Sequence, residues 1–167
     1  MYKRKDRFLN KHPRNSVRIE YINKIFPDAY YIHIVRDGRA VVNSIINKIK
    51  KEKFRQRIPF GNFCKPPDFR QYLNDNLIKQ SAHQWDEIVK YILNAKEEYI
   101  EDRYYEIKYE DLCENPKEII KSAMKFAGLE VNKQILDELP DKLKNMNYKY
   151  NNRLTKDEIN IITKIQK

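Results

Sequence analysis

Arg36, Asp37, Gly38 and Ser44 are the residues whose types and spacing can do chemistry, and that chemistry is anion binding. They follow Tyr30-Tyr-Ile-His-Ile-Val35, a short β-branched and aromatic run that fits a strand covered on both faces. Arg36 is the first residue that cannot stay in such a core. Asp37 can cap a helix and Gly38 permits a close turn. Ala40, Val41, Ile45, Ile46 and Ile49 then recur at helical spacing, which predicts a helix starting at Gly38 or Arg39. In open parallel sheets, anions bind beyond the carboxyl ends of strands, where helix N-termini present free N–H groups. Ser44 lies seven residues past Asp37, nearly two helical turns, and so on the same helix face. A guanidinium and a hydroxyl can then share one phosphate. The competing reading is that Arg36 pairs with a carboxylate and Ser44 is an ordinary helix residue.

The elements that position these residues can be read in order. Pro13 stops any preceding element, Asn15 or Ser16 can cap, and Val17, Tyr21, Ile22, Ile25 and Phe26 form a helical apolar stripe that Pro27-Asp28 ends. After the Gly38 helix the chain turns basic, through Lys48, Lys50, Lys51, Lys53, Arg55 and Arg57, then loses periodicity across Ile58 to Pro67. Phe60, Phe63 and Phe69 in and beside this loop either close over an acceptor or cover core. A long helix is expected from Asp75, with Ile78, Trp85, Ile88, Val89, Ile92 and Tyr99 on its buried stripe and Lys79, Asp86, Lys90 and Glu97 elsewhere. Trp85 reads as core.

Alternation of Tyr105, Ile107 and Tyr109 predicts a second strand. Pro116 opens a short helix that Gly128 closes, an amphipathic piece runs from Asn132 towards Leu139, and Thr155 to Glu158 is a capping box that starts a last helix. The long helical stretch between the two strands makes a crossover, so the strands are expected to run parallel. Two strands are too few to make a covered parallel sheet, so the full sheet is expected to hold more strands than this chain contains.

With 167 residues the chain has the length of one domain, residues 1–167. Its 34 Lys and Arg against 24 Asp and Glu give a net charge of +10, which calls for an anionic partner: nucleic acid, acidic substrate or phosphorylated cofactor. Without a long apolar run or a secretory pattern at Met1, a soluble, cytoplasmic chain is expected. Cys64 and Cys113 are far apart and supply neither a disulfide framework nor zinc-ligand spacing.

The order Lys11-x-Pro, helix, Phe26-Pro-Asp-Ala29, strand, Val35-Arg-Asp-Gly-Arg39, Ser44, Trp-bearing helix, then Tyr105-Glu-Ile-Lys-Tyr-Glu-Asp-Leu112 with Asn115-Pro116 resembles the PAPS-dependent sulfotransferases. PAPS is 3'-phosphoadenosine 5'-phosphosulfate. The similarity is to the broad Golgi-type and microbial branch, including tyrosylprotein sulfotransferases. It spans Lys11 to Leu129, with weaker support near Arg153 to Glu158. It implies a three-layer α/β fold related to P-loop nucleotide kinases, with a parallel sheet between helices. It also implies that Arg36 and Ser44 hold the cofactor's 3'-phosphate, that Tyr109 lies by the adenine, that Lys11 sits near the transferring group, and that Arg153 is a further cofactor-binding residue.

One departure stands out. Relatives carry a Gly/Ser/Thr-rich loop after their first strand that cradles the 5'-phosphosulfate, whereas Gly occurs here only at positions 38, 61 and 128. The first strand, this loop and the general base are therefore expected to lie outside these residues; His12 is the one nearby substitute base. The implied function is sulfuryl transfer from PAPS to a hydroxyl or amine of a small-molecule, carbohydrate or peptide acceptor. The chain would supply the 3'-phosphate and adenine side, and no metal is required. The alternative is a basic polyanion-binding or nucleic-acid-binding module without catalysis, with Lys48 to Arg57 as its footprint; it lacks a recognisable nucleic-acid recognition motif.

Overall fold

The two runs read as strands form a parallel pair in the computed structural model, which describes residues 7–166. Strand β1 is Tyr31–Val35 and strand β2 is Tyr104–Lys108, with Tyr31 opposite Tyr104 and Ile34 opposite Ile107. Among the described residues this is the whole sheet. Side chains alternate across a strand, so Tyr31, His33, Tyr104 and Glu106 share one face and Ile32, Ile34, Tyr105 and Ile107 the other. Helices flank both faces and make the architecture three-layered α/β.

On the first face lie helices α1 (Ile19–Ile25) and α3 (Leu77–Ala95), whose Ile19, Ile92 and Ala95 join Ile100 in a core cluster against Tyr31 and Tyr104. Helix α2 (Gly38–Lys51) comes next in the chain after β1. On the second face, β2 runs into α4 (Tyr109–Glu114), and α5 (Pro116–Phe126) lays Phe126 flat on Tyr105, with centroids 5.2 Å apart, and edge-on to Tyr30 at 5.3 Å. Ile107 is buried there. These helices reach over β2 and stop short of β1, so Ile32 and Ile34 stay 43% and 53% exposed. The expected cover on both faces of β1 is therefore corrected: among the described residues its second face is only partly covered.

A second core joins α2, α3 and the last helix, α7 (Lys156–Ile165), through Val42, Ile46, Ala82 and Ile162. The capping box of α7 is present: Thr155 Oγ1 accepts the Glu158 N–H, and Glu158 accepts the Thr155 N–H. Helix α6 (Lys133–Glu138) is capped by Asn132. Between α2 and α3 the chain makes short 3-10 turns at Lys53–Arg57, Pro59–Asn62 and Phe69–Tyr72. Phe60 is buried here and meets the half-buried Phe69 edge-on at 5.9 Å, so the Phe60 ring fills core and Phe69 covers it. Gly61, at φ +58°, is needed as glycine: a Cβ would stand 2.4 Å from the Ile49 side chain.

Three local expectations are revised. Pro13–Val17 is a 3-10 turn and α1 begins only at Ile19, so neither Asn15 nor Ser16 caps it; Tyr21, Ile25 and Phe26 face out because the short helix touches the core through Ile19. Helix α3 starts at Leu77, capped by Asn76, and it buries Asp86, whose carboxylate meets Lys90 Nζ at 2.7 Å. Strand β2 ends at Lys108, and Tyr109 is the first residue of a helix.

The first sheet face carries a polar chain in a largely apolar setting. His33 Nδ1 is 2.7 Å from the Tyr104 hydroxyl, which donates to Glu106 Oε2 at 2.9 Å; the hydroxyl's one proton is thus spent, and His33 is the donor of the first bond. Lys96 Nζ lies over the Tyr104 ring at 5.4 Å. Burial holds the His33 imidazole below its ordinary value, against the pull of the Glu106 carboxylate. The unfolded chain therefore takes up a proton on His33 near pH 6.5 and the folded chain only at lower pH, so stability falls as pH drops below 6.5. The melting temperature is expected to decline on acidification from pH 7 to pH 5, with the His33→Gln variant showing a shallower decline; an unchanged slope in that variant would contradict the assignment.

Candidate functional site

The site is built where β1 hands over to α2. The strand ends at Val35 because Arg36 is long and charged, and α2 starts at Gly38 because Asp37 caps it: Asp37 Oδ1 accepts the Arg39 N–H at 2.8 Å. The Arg39 guanidinium folds back on the same carboxylate, with Nη2 at 2.6 Å from Oδ2. Burial pushes the Asp37 carboxyl up, but the side-chain and backbone hydrogen bonds from Arg39 outweigh it and hold the group below the usual carboxylate range. The carboxylate next to Arg36 in sequence is thus already committed to Arg39.

The carboxylate next to it in space is committed too. Glu110, at the start of α4, accepts the Asp37 N–H at 3.1 Å and the Asn147 side-chain amide at 2.5 Å, both on Oε1. Arg36 Nε donates to Asn147 Oδ1 at 2.8 Å, and its guanidinium lies over the Tyr109 ring, 4.4 Å from the centroid. Among the described residues Arg36 makes no ion pair. The Tyr109 hydroxyl accepts the Met146 N–H at 3.3 Å and reaches the Lys144 carbonyl at 3.5 Å. Burial and the neighbouring Cys113 thiol push the Tyr109 phenol up, opposed by Met146 and Arg36.

Arg36 forms part of the wall of an open hollow of about 380 Å³ whose other polar walls include Ser44, Lys48, Lys51, Lys149 and Arg153. Asn47 is tied to Asn43 on the same helix, and Lys48 is paired with Glu52 at 2.7 Å. The structure therefore brings Arg36, Ser44 and Arg153 to one hollow and sets Tyr109 beneath Arg36. Lys11 is exposed and is not part of that wall. His12 spends Nδ1 on the Arg14 N–H, at 3.1 Å, as the cap of the Pro13–Val17 turn. A larger hollow, about 540 Å³, lies against the last turns of α2, between Ile49, Arg55, Phe60 and Leu77, without a strand-end arginine. Among the described residues no cluster of His, Cys, Asp and Glu is placed to hold a metal ion, and no helix is long and apolar enough to cross a membrane.

Asn147, Lys149 and Glu110 were not singled out by the sequence. The run Asn145 to Arg153 has no hydrophobic period; its one signal is density, with amides, tyrosines and cations alternating between two helices.

A parallel strand, a sharp turn and a following helix, with an arginine at the strand end that makes no ion pair among the described residues, define an α/β arrangement whose open strand end offers positive charge. The chain belongs to the sulfotransferase family, whose model matches residues 1–133. It is similar to the protein-tyrosine sulfotransferase of Drosophila melanogaster, 26% identical over 130 residues that make up 78% of this chain and 22% of that one. It is also similar to the omega-hydroxy-beta-dihydromenaquinone-9 sulfotransferase Stf3 of Mycobacterium bovis, 27% identical over 77% of this chain and 30% of that one. The chain thus spans between a fifth and a third of the length of these relatives. In fold it matches the sulfotransferase domain from the curacin biosynthetic pathway, with a TM-score of 0.56 and 16% identity over 83% of this chain and 44% of that one.

Because Asp37 both caps α2 and occupies Arg39, its replacement acts on the whole handover. Asp37→Ala is expected to lower stability by about 1 to 2 kcal/mol, with Asp37→Asn, which keeps a capping oxygen, losing less. Urea unfolding of the two variants beside the parent chain measures this, and equal losses would show that the cap is not the source.

Proposed function

We propose that this chain forms the 3'-phosphate and adenine side of a PAPS site in a sulfotransferase that transfers a sulfuryl group to a hydroxyl or amine. The observation that carries the reading is Arg36: a guanidinium at the carboxyl end of a parallel strand, without an ion pair among the described residues, on the wall of a hollow lined by four more cations. A phosphate dianion fits that charge, and Ser44 offers it a hydroxyl from the same helix face. Tyr109 is assigned to the adenine, as an aromatic surface beside the phosphate. Arg153 is assigned to the nucleotide from the outer wall, and Lys11 to the oxygens near the transferring group.

The donor, when bound, brings the reactive sulfuryl group. The residues named here bind and orient its nucleotide, and binding energy at that remote end serves to position the reacting end. The cradle for the 5' end is assigned to residues other than these, in keeping with the three glycines at 38, 61 and 128. A second reading draws on Lys48, Lys51, Lys149 and Arg153, which together make a basic surface open to any polyanion.

Calorimetric titration of adenosine 3',5'-bisphosphate into the chain tests the first reading. Arg36→Ala is expected to weaken binding about ten- to a hundredfold, the range for hydrogen bonds to charged groups, and Ser44→Ala about three- to tenfold, the range for an ordinary hydrogen bond. Equal affinities for the parent and Arg36→Ala would overturn the phosphate assignment. Salt-sensitive binding of generic DNA, with no preference for the bisphosphate, would favour the second reading.

A further inference from the structure

Arg36 faces a choice set by its surroundings. A guanidinium beside two carboxylates ordinarily closes a bidentate ion pair, and one that does so has no fork left for a ligand. Here the two carboxylates are reached only indirectly. Asp37 is held by Arg39, and Glu110 is separated from Arg36 by the side chain of Asn147, which accepts from Arg36 Nε at 2.8 Å and donates to Glu110 Oε1 at 2.5 Å. An amide is the side chain suited to this place, since one neighbour only donates and the other only accepts. The same pairing fixes which way the amide points.

Resting on the 3'-phosphate reading above, we propose that Asn147 is a positioning residue for Arg36. It occupies Nε alone, leaves the two terminal nitrogens for a nucleotide 3'-phosphomonoester, and keeps the Glu110 charge one side chain away, so that Arg36 meets its ligand as an uncompensated cation. The Tyr109 ring beneath the guanidinium sets its plane, and the Asn147 bond sets its rotation in that plane. Asn147 is itself anchored: its N–H donates to Asn145 Oδ1 at 2.9 Å, and the Met146 N–H is held by the Tyr109 hydroxyl. Asn147 lies beyond residue 133, where the match to the family model ends, and 111 residues from the arginine it orients.

A positioning role predicts effects on phosphate preference, beyond any effect on folding. The readout is the ratio of affinities for adenosine 3',5'-bisphosphate and adenosine 5'-monophosphate, measured calorimetrically on the chain and its variants, with thermal melting alongside. Asn147→Asp, isosteric but charged, pairs with Arg36, loses the donor to Glu110 and sets a second carboxylate against it; it is expected to cut the ratio about tenfold or more, and Asn147→Ala about three- to tenfold. Glu110→Ala, which frees the Asn147 amide, is expected to reduce the ratio as well, and Glu110→Gln, which keeps the accepting oxygen, to recover most of that loss. Glu110→Gln keeps the accepting oxygen, and the double variant Asn147→Asp/Glu110→Gln keeps both side-chain volumes without setting two carboxylates together and is expected to lose the ratio as Asn147→Asp does, so these two decide the matter even if the alanine variants fold poorly.

If Arg36→Ala abolishes the preference while Asn147→Asp and Asn147→Ala retain the parent ratio, Asn147 does not position Arg36 and only this proposal falls. Variants that melt earlier with an unchanged ratio overturn it in the same way, leaving Asn147 a structural role alone. A parent chain without any preference for the 3'-phosphorylated nucleotide removes the underlying reading and this proposal with it.

Discussion

Arg36 has an aspartate beside it in sequence and a glutamate beside it in space, and its guanidinium pairs with neither. Much of the local structure follows from keeping it so. Asp37 is consumed by the start of α2 and by Arg39, Glu110 is consumed by the Asp37 N–H and the Asn147 amide, and the arginine itself rests on an aromatic ring. An uncompensated guanidinium at a solvent-open hollow keeps its hydration, so it costs far less than a buried one would. The arrangement stores attraction for an anion at small expense in stability.

The hollow draws its walls from parts of the chain that are remote in sequence. Helix α2 contributes Ser44, Lys48 and Lys51, and the segment before α7 contributes Lys149 and Arg153. What brings them together is the second core, where α2 and α7 meet over Ala82 of α3. Packing at Val42, Ile46 and Ile162 thus holds α2 and α7 in place beside the charged opening.

What the sequence made legible was local. The Asp37 cap and Gly38 start, the Pro116 helix and the Thr155 capping box each depend on residues within one turn of one another, and each stands where it was expected. Arg36 and Ser44 were nameable from spacing along one strand-turn-helix and from the family resemblance, Arg153 from the resemblance alone, and the fold brings the three to one hollow. Pairings across long separations were not. Asp86 looked like a surface residue because its charge masks a position that packing buries, with Lys90 supplying the counter-charge one turn on. Ile32 and Ile34 looked like core because strand composition reports what a face prefers and says nothing of whether a neighbour is there to cover it. Asn147 escaped because an amide in an aperiodic stretch carries no signal of the arginine 111 residues away.

The edge of β1, the strand that carries Ile32 and Ile34, has a bearing on how the chain behaves as a colloid. Beyond β1 no further strand of the described residues is paired, and its outer edge runs Tyr-Ile-His-Ile-Val with no lysine, proline or bulge to blunt it. Such an edge is a template for pairing with another copy. What opposes it is the net charge of +10, a repulsion that acts over about 8 Å at physiological ionic strength and over about 3 Å in molar salt. The cations that line the hollow add to that charge, and so help to keep copies of this chain apart. Ionic strength sets how far that effect reaches.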